Sequence, residues 1–157
     1  MKRHSYLVRL DWTGNDGAGT KTYRGYRRDH TISIEGKPTL AGSSDPSFRG
    51  DPTRHSPEDL LVASLSSCHM LWYLHLCSVN RINVLDYRDA AAGFMDENDD
   101  GSGAFSRVLL QPTVKISADS DPARAIALHA EAHGFCFIAR SVNFPVDLAP
   151  VVTVQAV

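Results

Sequence analysis

HSPEDLLVASLSSCHMLWYLHLCSV, residues 55–79, is the most apolar stretch of the chain and has the features of one long helix. Ser56 is a favoured N-cap residue, and Pro57 suits the first helical position. Acidic residues follow in the first turn, beginning with Glu58, where the helix dipole favours negative charge. From Leu60 to Val79 apolar residues fall on every side, which predicts a helix buried nearly all round inside the fold.

A membrane span is the main alternative for an uncharged stretch of this length. However, no aromatic belt or basic flank accompanies the stretch. Polar side chains also interrupt it, at Ser64, Ser66, Ser67, His69, His75 and Ser78. We therefore expect the core helix of a soluble protein that makes no contact with a membrane.

Length, charge and cysteine content narrow the class of protein. A chain of 157 residues suits one domain with its own core. The formal net charge is −2 and Lys and Arg form no run, so we expect no nucleic acid partner. The N-terminal MKRHSYLVRLDW has neither a continuous apolar core nor a cleavage site, which favours a cytoplasmic protein. Three cysteines are an odd number, which argues against a disulfide framework.

The first third of the chain is predicted to be a β-meander followed by a functional loop. Residues 1–35 contain an alternating stretch at Tyr6–Asp11 and two more predicted strands within residues 20–36. Residues 36–55 are crowded with Gly, Pro, Ser and Asp, and a connection of this length is usually functional. The central helix is predicted to occupy residues 56–80.

The remaining chain, residues 82–157, is predicted to form a hairpin, a second helix and a last strand. A long antiparallel hairpin around the turn formers DENDDGSG is predicted at residues 81–118. A helix that Gly134 terminates is predicted at residues 119–134, and a strand at residues 143–154. This element order predicts an α+β fold in a single domain, residues 1–157.

Two of the three cysteines could carry redox chemistry. Cys68 lies in the middle of the central helix and Cys136 just beyond the second helix. Their separation excludes a CxxC redox motif, and no second pair completes a zinc site. Each could simply be a small buried hydrophobic residue. Cys77 is ~13.5 Å further along the same helix than Cys68, too far for a disulfide, and we expect it in the core.

SPEDLLVASLSSCHM and AHGFCFIARSVNFPV together resemble the paired cysteine motifs of the OsmC/Ohr family, the osmotically inducible and organic hydroperoxide resistance proteins. The loop SSDPSFRGDPTRHSPE is closer to the OsmC branch, and Phe137-Ile138-Ala139 stands where the family motif usually has Pro-Tyr-Ser. The resemblance implies antiparallel sheets wrapped around a long buried helix in an intertwined homodimer. It also implies a thiol peroxidase that reduces organic hydroperoxides, with Cys68 as the peroxidatic thiol and Cys136 as the resolving thiol.

The same resemblance implies a carboxylate and an arginine at the site, and no cofactor. Glu58 would hold the catalytic arginine, and a Cys68–Cys136 disulfide would be recycled by a dithiol reductant, for which a lipoylated protein is one option. Glu58 precedes Cys68 by ten helical residues, ~15 Å, so an arginine would bridge the gap or the carboxylate would serve another subunit's thiol.

Several arginines could supply the cation that a reactive thiolate needs. We favour Arg49. Arginine suits this role because its planar guanidinium can hold a carboxylate and still donate hydrogen bonds to a peroxide. Arg54 is the second choice. Three arginines of the meander remain as alternatives, namely Arg24, Arg27 and Arg28.

Apolar side chains near the cysteines predict the substrate pocket. Leu65, Trp72 and Phe135 are expected to line a site for an alkyl peroxide. The alternative keeps the fold without the enzyme: a dimeric binding protein for an apolar small molecule, with Cys68 as packing. A dimer is expected in either case, because one sheet covers only one side of a helix that is apolar on every face.

Histidines raise the question of a metal. His129 and His133 are one helical turn apart and could share a ligand face. Because no third ligand has suitable spacing, we interpret this pair as part of a solvated face. We predict no metal site.

Overall fold

The structure is a computed structural model and describes residues 2–156. Its internal contacts divide the chain into two compact units, Met1–Leu60 and Leu61–Val157. The long helix predicted at residues 56–80 begins in the first unit and continues in the second.

The first unit contains one antiparallel sheet of three strands in the order β1-β2-β3. Its strands are β1 Arg9–Trp12, β2 His30–Ser33 and β3 Leu40–Gly42. Leu10 pairs with Ile32, and Thr31 pairs with Ala41. A short 3-10 turn follows at Pro46–Phe48.

The predicted meander differs from the structure in the position of its third strand. Residues 20–36 contain one strand rather than two, and β3 lies within the segment predicted to be loop. Residues 22–28 form a turn region instead: Gly25 N donates to Thr22 O at 3.0 Å, and the Arg28 guanidinium donates to the carbonyls of Tyr23 and Tyr26 at 2.9 and 2.6 Å. These backbone carbonyls are satisfied locally and need no strand partner.

The long helix, α1, runs unbroken over Pro57–Val79, so the predicted helix start is confirmed. Asp59 N donates to Ser56 Oγ at 3.1 Å, and Ser56 N donates to the Asp59 carboxylate at 3.0 Å. This reciprocal capping box satisfies two donors that a helix start leaves free. The helix ends at Val79, and Arg81, two residues later, adopts a left-handed φ of 61°.

The prediction that α1 is buried nearly all round is wrong for the single chain. Only one stripe of the helix is fully buried, at Leu65, His69, Tyr73 and Cys77. These positions are four residues apart and lie on one face. On other faces apolar side chains are exposed, including Leu71 at 63% and Val79 at 62%.

The second unit contains two three-stranded sheets, β4-β7-β9 and β5-β6-β8. The strands are β4 Val84–Asp89, β5 Ala92–Glu97, β6 Gly103–Leu110, β7 Pro112–Ile116, β8 Val146–Leu148 and β9 Val151–Val154. The predicted antiparallel hairpin is confirmed, but its outer halves, β4 and β7, belong to a different sheet from its inner halves. At the division, Gln111 N donates to the Asp89 carboxylate at 2.7 Å.

The last segment forms two strands rather than the single strand predicted for residues 143–154. Both pair in parallel, β8 with β6 and β9 with β7. Pro150 lies between them and has no N–H to donate, which suits a break in the ladder. One segment thus adds an edge strand to each of the two sheets.

The second helix, α2, spans Pro122–Phe135. Asp121 caps it by accepting from Ala123 N at 2.9 Å and Arg124 N at 3.2 Å. Gly134 does not terminate α2 as predicted: it lies within the helix, and its φ is not left-handed. The helix ends at Cys136 instead, where the chain turns into an extended conformation.

Two hydrophobic clusters form the core of the second unit, and α1 contributes to both. Tyr73 and Cys77 belong to the larger cluster, which contains Ile82, Val114, Ile116, Ala125, Leu128 and Ala132. Leu65 belongs to the smaller one with Val108 and Leu110. The mixture of helices and sheets is the predicted α+β class.

By length and composition alone, α1 could cross a membrane, and among residues 2–156 no other helix passes that test. The core helix of a soluble protein passes the same test.

Candidate active site

The structure brings together the two cysteines that the sequence singled out. Cys68 lies in the middle of α1 and is half-buried, whereas Cys136 is 1% exposed at the end of α2. The Cys136 thiol interacts with the Cys68 thiol, and both are free. A partly exposed cysteine and a buried cysteine therefore lie side by side.

A tight turn after α2 holds Cys136 in place. Its N–H donates to the carbonyls of Ala132 at 3.0 Å and His133 at 3.3 Å. Its Sγ accepts from Ala139 N at 3.4 Å, and its carbonyl accepts from Arg140 N at 3.1 Å. Backbone contacts on both sides thus fix the position of this thiol.

Burial suppresses ionisation of the Cys136 thiol. Burial, and then the neighbouring Cys68 thiol, raise the pKa of Cys136 to about 11, opposed by the Ala139 N–H. Cys136 is therefore protonated at neutral pH, and only a thiolate attacks as a nucleophile. Burial also raises the pKa of Cys77, which lies in the larger core cluster as predicted.

Aromatic rings form a partly exposed patch beside the thiols. Trp72 follows Cys68 by one helical turn, and its ring stacks on Phe135 with centroids 5.0 Å apart. Phe137 contacts the same indole edge-on at 5.7 Å and is 69% exposed. Two of the predicted pocket residues therefore lie next to the cysteines, whereas Leu65 is fully buried in the smaller core cluster.

The predicted carboxylate and arginine belong to the first unit. One oxygen of Glu58, Oε2, is buried and has no hydrogen-bond partner within residues 2–156. Arg49 follows the 3-10 turn with a left-handed φ of 65°, a conformation uncommon for residues other than glycine. Its guanidinium lies 5.9 Å from the ring centroid of Tyr23 and, in the described part of the chain, makes no ion pair.

Two of the alternative arginines are already engaged with carboxylates. Arg54 contacts Asp51 at 3.4 Å and Asp29 at 3.9 Å. Arg27 contacts Asp16 and Asp29, each at 3.0 Å. These two arginines are therefore already paired with carboxylates of their own unit.

The sequence prediction missed a buried pair of histidines. His69 Nε2 and His129 Nδ1 are 3.0 Å apart, and each residue is 1% exposed. The interpretation of His129 as part of a solvated face is therefore wrong. Tyr73 stacks on the His129 ring at 3.8 Å, so the ring is enclosed by α1. The spacing of apolar residues around His129 in IALHAEA could have indicated burial, but not the partner.

Both histidines are neutral at physiological pH. Burial, and then the charge of His133, lower the pKa of His69 to about 4, opposed by the Asp89 carboxylate. Burial, and then His69, lower the pKa of His129 to about 3. Among residues 2–156, no group of three or more His, Cys, Asp or Glu side chains could hold a metal.

Comparison with known proteins supplies the family. The family described as OsmC-like protein matches residues 50–150. An OsmC-like protein of unknown function from Vibrio cholerae is 31% identical, with 95% of this chain and 100% of that chain covered and a TM-score of 0.85. No curated protein matches the chain significantly.

More distant structures share the fold. The organic hydroperoxide resistance protein OsmC from Legionella pneumophila is 16% identical, with a TM-score of 0.70 over 98% of this chain and 99% of that chain. The organic hydroperoxide resistance protein OhrB of Bacillus subtilis is 18% identical, with a TM-score of 0.59 over 94% and 98%. The family match over residues 50–150 and the 31% identity to the Vibrio protein show that the chain belongs to the OsmC-like protein family.

Proposed function

We propose that this protein is a cysteine-based peroxidase that reduces organic hydroperoxides through Cys68 and Cys136. The observation that carries the proposal is the asymmetry of the two adjacent cysteines: Cys68 is partly exposed, while Cys136 is buried and its pKa is raised to about 11. A peroxide can therefore reach Cys68 but not Cys136, and the Cys136 thiol lies next to Cys68. Two solved structures that share the fold are named as organic hydroperoxide resistance proteins, which supports the same chemistry.

The proposed reaction has two steps. The Cys68 thiolate attacks the terminal oxygen of the hydroperoxide, the O–O bond breaks, and Cys68 becomes a sulfenic acid as an alkoxide leaves and takes up a proton. The Cys136 sulfur then attacks the sulfenic sulfur of Cys68 as its own S–H bond gives up its proton, the S–O bond breaks, and the hydroxyl group leaves with that proton as water, which forms the disulfide. A dithiol, for which a lipoylated protein is one option, returns the two electrons in the cytoplasm.

The aromatic patch supports an organic rather than a purely polar peroxide. Trp72, Phe135 and Phe137 present apolar surface beside the thiols. A depression of about 270 Å³ lined by Leu71, Trp72 and His75 continues this surface. Burying an alkyl chain there would contribute roughly 25 cal/mol for each Å² removed from water.

Glu58 and Arg49 are proposed to activate the peroxide. The Glu58 carboxylate has an oxygen without a donor, and the Arg49 guanidinium lacks a carboxylate partner within residues 2–156. An arginine held by a carboxylate still presents N–H donors that stabilise the leaving alkoxide.

A homodimer is the proposed assembly. Apolar side chains of α1 outside its buried stripe, such as Leu71 and Val79, are more than half exposed in one chain. Contact with a second copy would remove that surface from water. Sedimentation should show a dimer, and a stable monomer at micromolar concentration would contradict this assembly.

One equivalent of an organic hydroperoxide tests the chemistry. The wild type should lose two thiols and yield a Cys68–Cys136 disulfide on nonreducing peptide mapping. Cys136→Ser should react once and then overoxidise at Cys68, whereas the matched control Cys77→Ala should behave as wild type. A Cys68–Cys77 bond, crosslinks between chains only, or normal cycling of Cys136→Ser would refute the mechanism.

The alternative of a dimeric binding protein for an apolar small molecule is supported by the same aromatic patch. In that case Cys68 would react with a hydroperoxide no faster than free cysteine at the same pH. Measuring this one rate separates the two functions.

A further inference from the structure

His69 and His129 form a side-chain link between the two helices that carry the cysteines. His69 follows Cys68 directly on α1, and His129 lies two turns before Cys136 on α2. Their ring nitrogens are 3.0 Å apart and both residues are buried. Between α1 and α2, no other side-chain hydrogen bond exists among residues 2–156.

This link is poorly explained by stability. The second nitrogen of each ring, His69 Nδ1 and His129 Nε2, is buried without a hydrogen-bond partner in the described part of the chain. A buried polar group left without a partner is unfavourable, and replacing both partners by apolar groups of the same shape can be nearly neutral or stabilising. The pair therefore calls for another role.

The contacts between the helices show what the pair can control. Arg124, near the start of α2, donates to Asn80 Oδ1 at 2.9 Å, beyond the end of α1. His129 meets His69 in the middle, with Tyr73 stacked on its ring. The end of α2 carries Cys136 beside Cys68. The histidine contact is thus the last directional bond before the thiols, and it limits how α2 can shift or rotate on α1.

A disulfide tolerates little displacement, because it requires a Cα–Cα distance of about 4.4–6.8 Å and a defined torsion. We infer that His69 and His129 are a positioning pair that holds Cys136 where it can condense with Cys68. This inference rests on the proposed function, since it assigns the pair to the resolving step. Attack of a peroxide on Cys68 does not depend on the position of Cys136.

Equilibrium with glutathione tests the pair without any peroxide. Oxidised glutathione takes two electrons and two protons from the Cys68 and Cys136 thiols, giving their disulfide and two molecules of reduced glutathione. Peptide mapping across a series of glutathione ratios yields the equilibrium constant. His129→Leu should lower this constant about tenfold relative to wild type, which corresponds to about 1.4 kcal/mol.

Matched variants separate positioning from general destabilisation. Asn at position 129 can place a hydrogen-bonding atom near Nδ1, so His129→Asn should restore the constant to within about twofold of wild type. Ile116→Val, a core truncation in β7 outside both helices, should leave it unchanged. The inference is overturned if His129→Leu matches wild type, if Asn is no better than Leu, or if Ile116→Val has an equal effect.

A measurement on the wild type covers the case in which His129→Leu does not fold. If the hydrogen bond between His69 and His129 stabilises the disulfide, then the disulfide stabilises that hydrogen bond by the same free energy. The ring N–H shared by His69 and His129 should therefore exchange with solvent about tenfold more slowly in the oxidised protein than in the reduced protein. Equal exchange rates would overturn the inference.

The outcomes also separate this inference from the proposed function. If the wild type forms the disulfide with glutathione, the variants respond as expected, and no hydroperoxide is reduced, then the peroxidase proposal fails and the positioning pair stands. If hydroperoxide is reduced but the variants match wild type, the peroxidase proposal stands and the positioning pair fails.

Discussion

Acid should destabilise this protein through His69 and His129, which are buried in their neutral forms. Burial, and then the charge of His133, lower the pKa of His69 to about 4, against the opposing Asp89 carboxylate. Burial, and then His69, lower the pKa of His129 to about 3. In the unfolded chain each imidazole titrates near about 6.5. Between these values the unfolded chain binds more protons than the folded one, so the free energy of unfolding falls as the pH falls.

The size of the effect follows from these pKa values. The contribution of the pair is complete above about pH 6.5 and is lost progressively toward about pH 4 for one histidine and about pH 3 for the other. Below about pH 6.5, each pH unit lowers the free energy of unfolding by about 1.36 kcal/mol for each histidine. At about pH 5, each histidine has therefore lowered the free energy of unfolding by about 2 kcal/mol. Acidification to about pH 5 should therefore lower the free energy of unfolding by about 4 kcal/mol through this pair, a large loss against the roughly 5–15 kcal/mol typical of a domain.

Chemical denaturation at about pH 7 and pH 5 measures this loss. Protein concentration is held constant, since dimerisation would shift the apparent stability. The matched control is the double variant His69→Gln/His129→Asn, which keeps hydrogen-bonding groups but cannot titrate in this range. Wild type should lose about 4 kcal/mol more than the double variant, or roughly 8–16 °C in Tm. An excess loss below about 1 kcal/mol would refute the reasoning.

Three further predictions concern the arginine, the resolving thiol and a helix cap. Arg49→Ala should slow the reaction of Cys68 with an organic hydroperoxide at least about tenfold in a stopped-flow measurement, and Arg54→Ala should do much less. Equal effects of the two substitutions would assign the catalytic cation to Arg24, Arg27 or Arg28 instead. Alkylation of Cys136, followed by peptide mass spectrometry, should still accelerate above about pH 10 because its pKa is raised to about 11, and a plateau below about pH 9 would contradict this. Asp121→Ala should lower the free energy of unfolding by about 0.5–2 kcal/mol, and Asp121→Asn should lose little; equal losses would count against the cap.

Features that depend on neighbouring residues were predictable from the sequence. The start of α1 is one example, because Ser56, Pro57 and Asp59 form its cap within a few residues of each other. The hairpin around DENDDGSG is another, because turn formers between two apolar stretches favour antiparallel pairing. The helix at 122–135 was also predictable from neighbouring residues. Its end was not predictable, because Gly134 is tolerated inside the helix.

Pairings between distant residues were not predictable in the same way. The strand predicted for residues 143–154 breaks into two because each half pairs with a different sheet. The burial of His129 depends on Tyr73 and His69, which are supplied by another helix. The apolar spacing within residues 122–135 could indicate that His129 is buried, but it does not identify the residues of the other helix that cover it.

The sequence by itself determined the two helices, the start of the long helix, the hairpin around DENDDGSG and the family motifs around Cys68 and Cys136, because these depend on local propensity, capping and spacing. Only the tertiary structure decided that Cys136 lies beside Cys68, that one cysteine is buried while the other is partly exposed, and that His69 meets His129 across 60 residues of chain. Burial and contact across such separations are set by how helices and sheets pack against each other, and burial in turn sets which groups carry a proton.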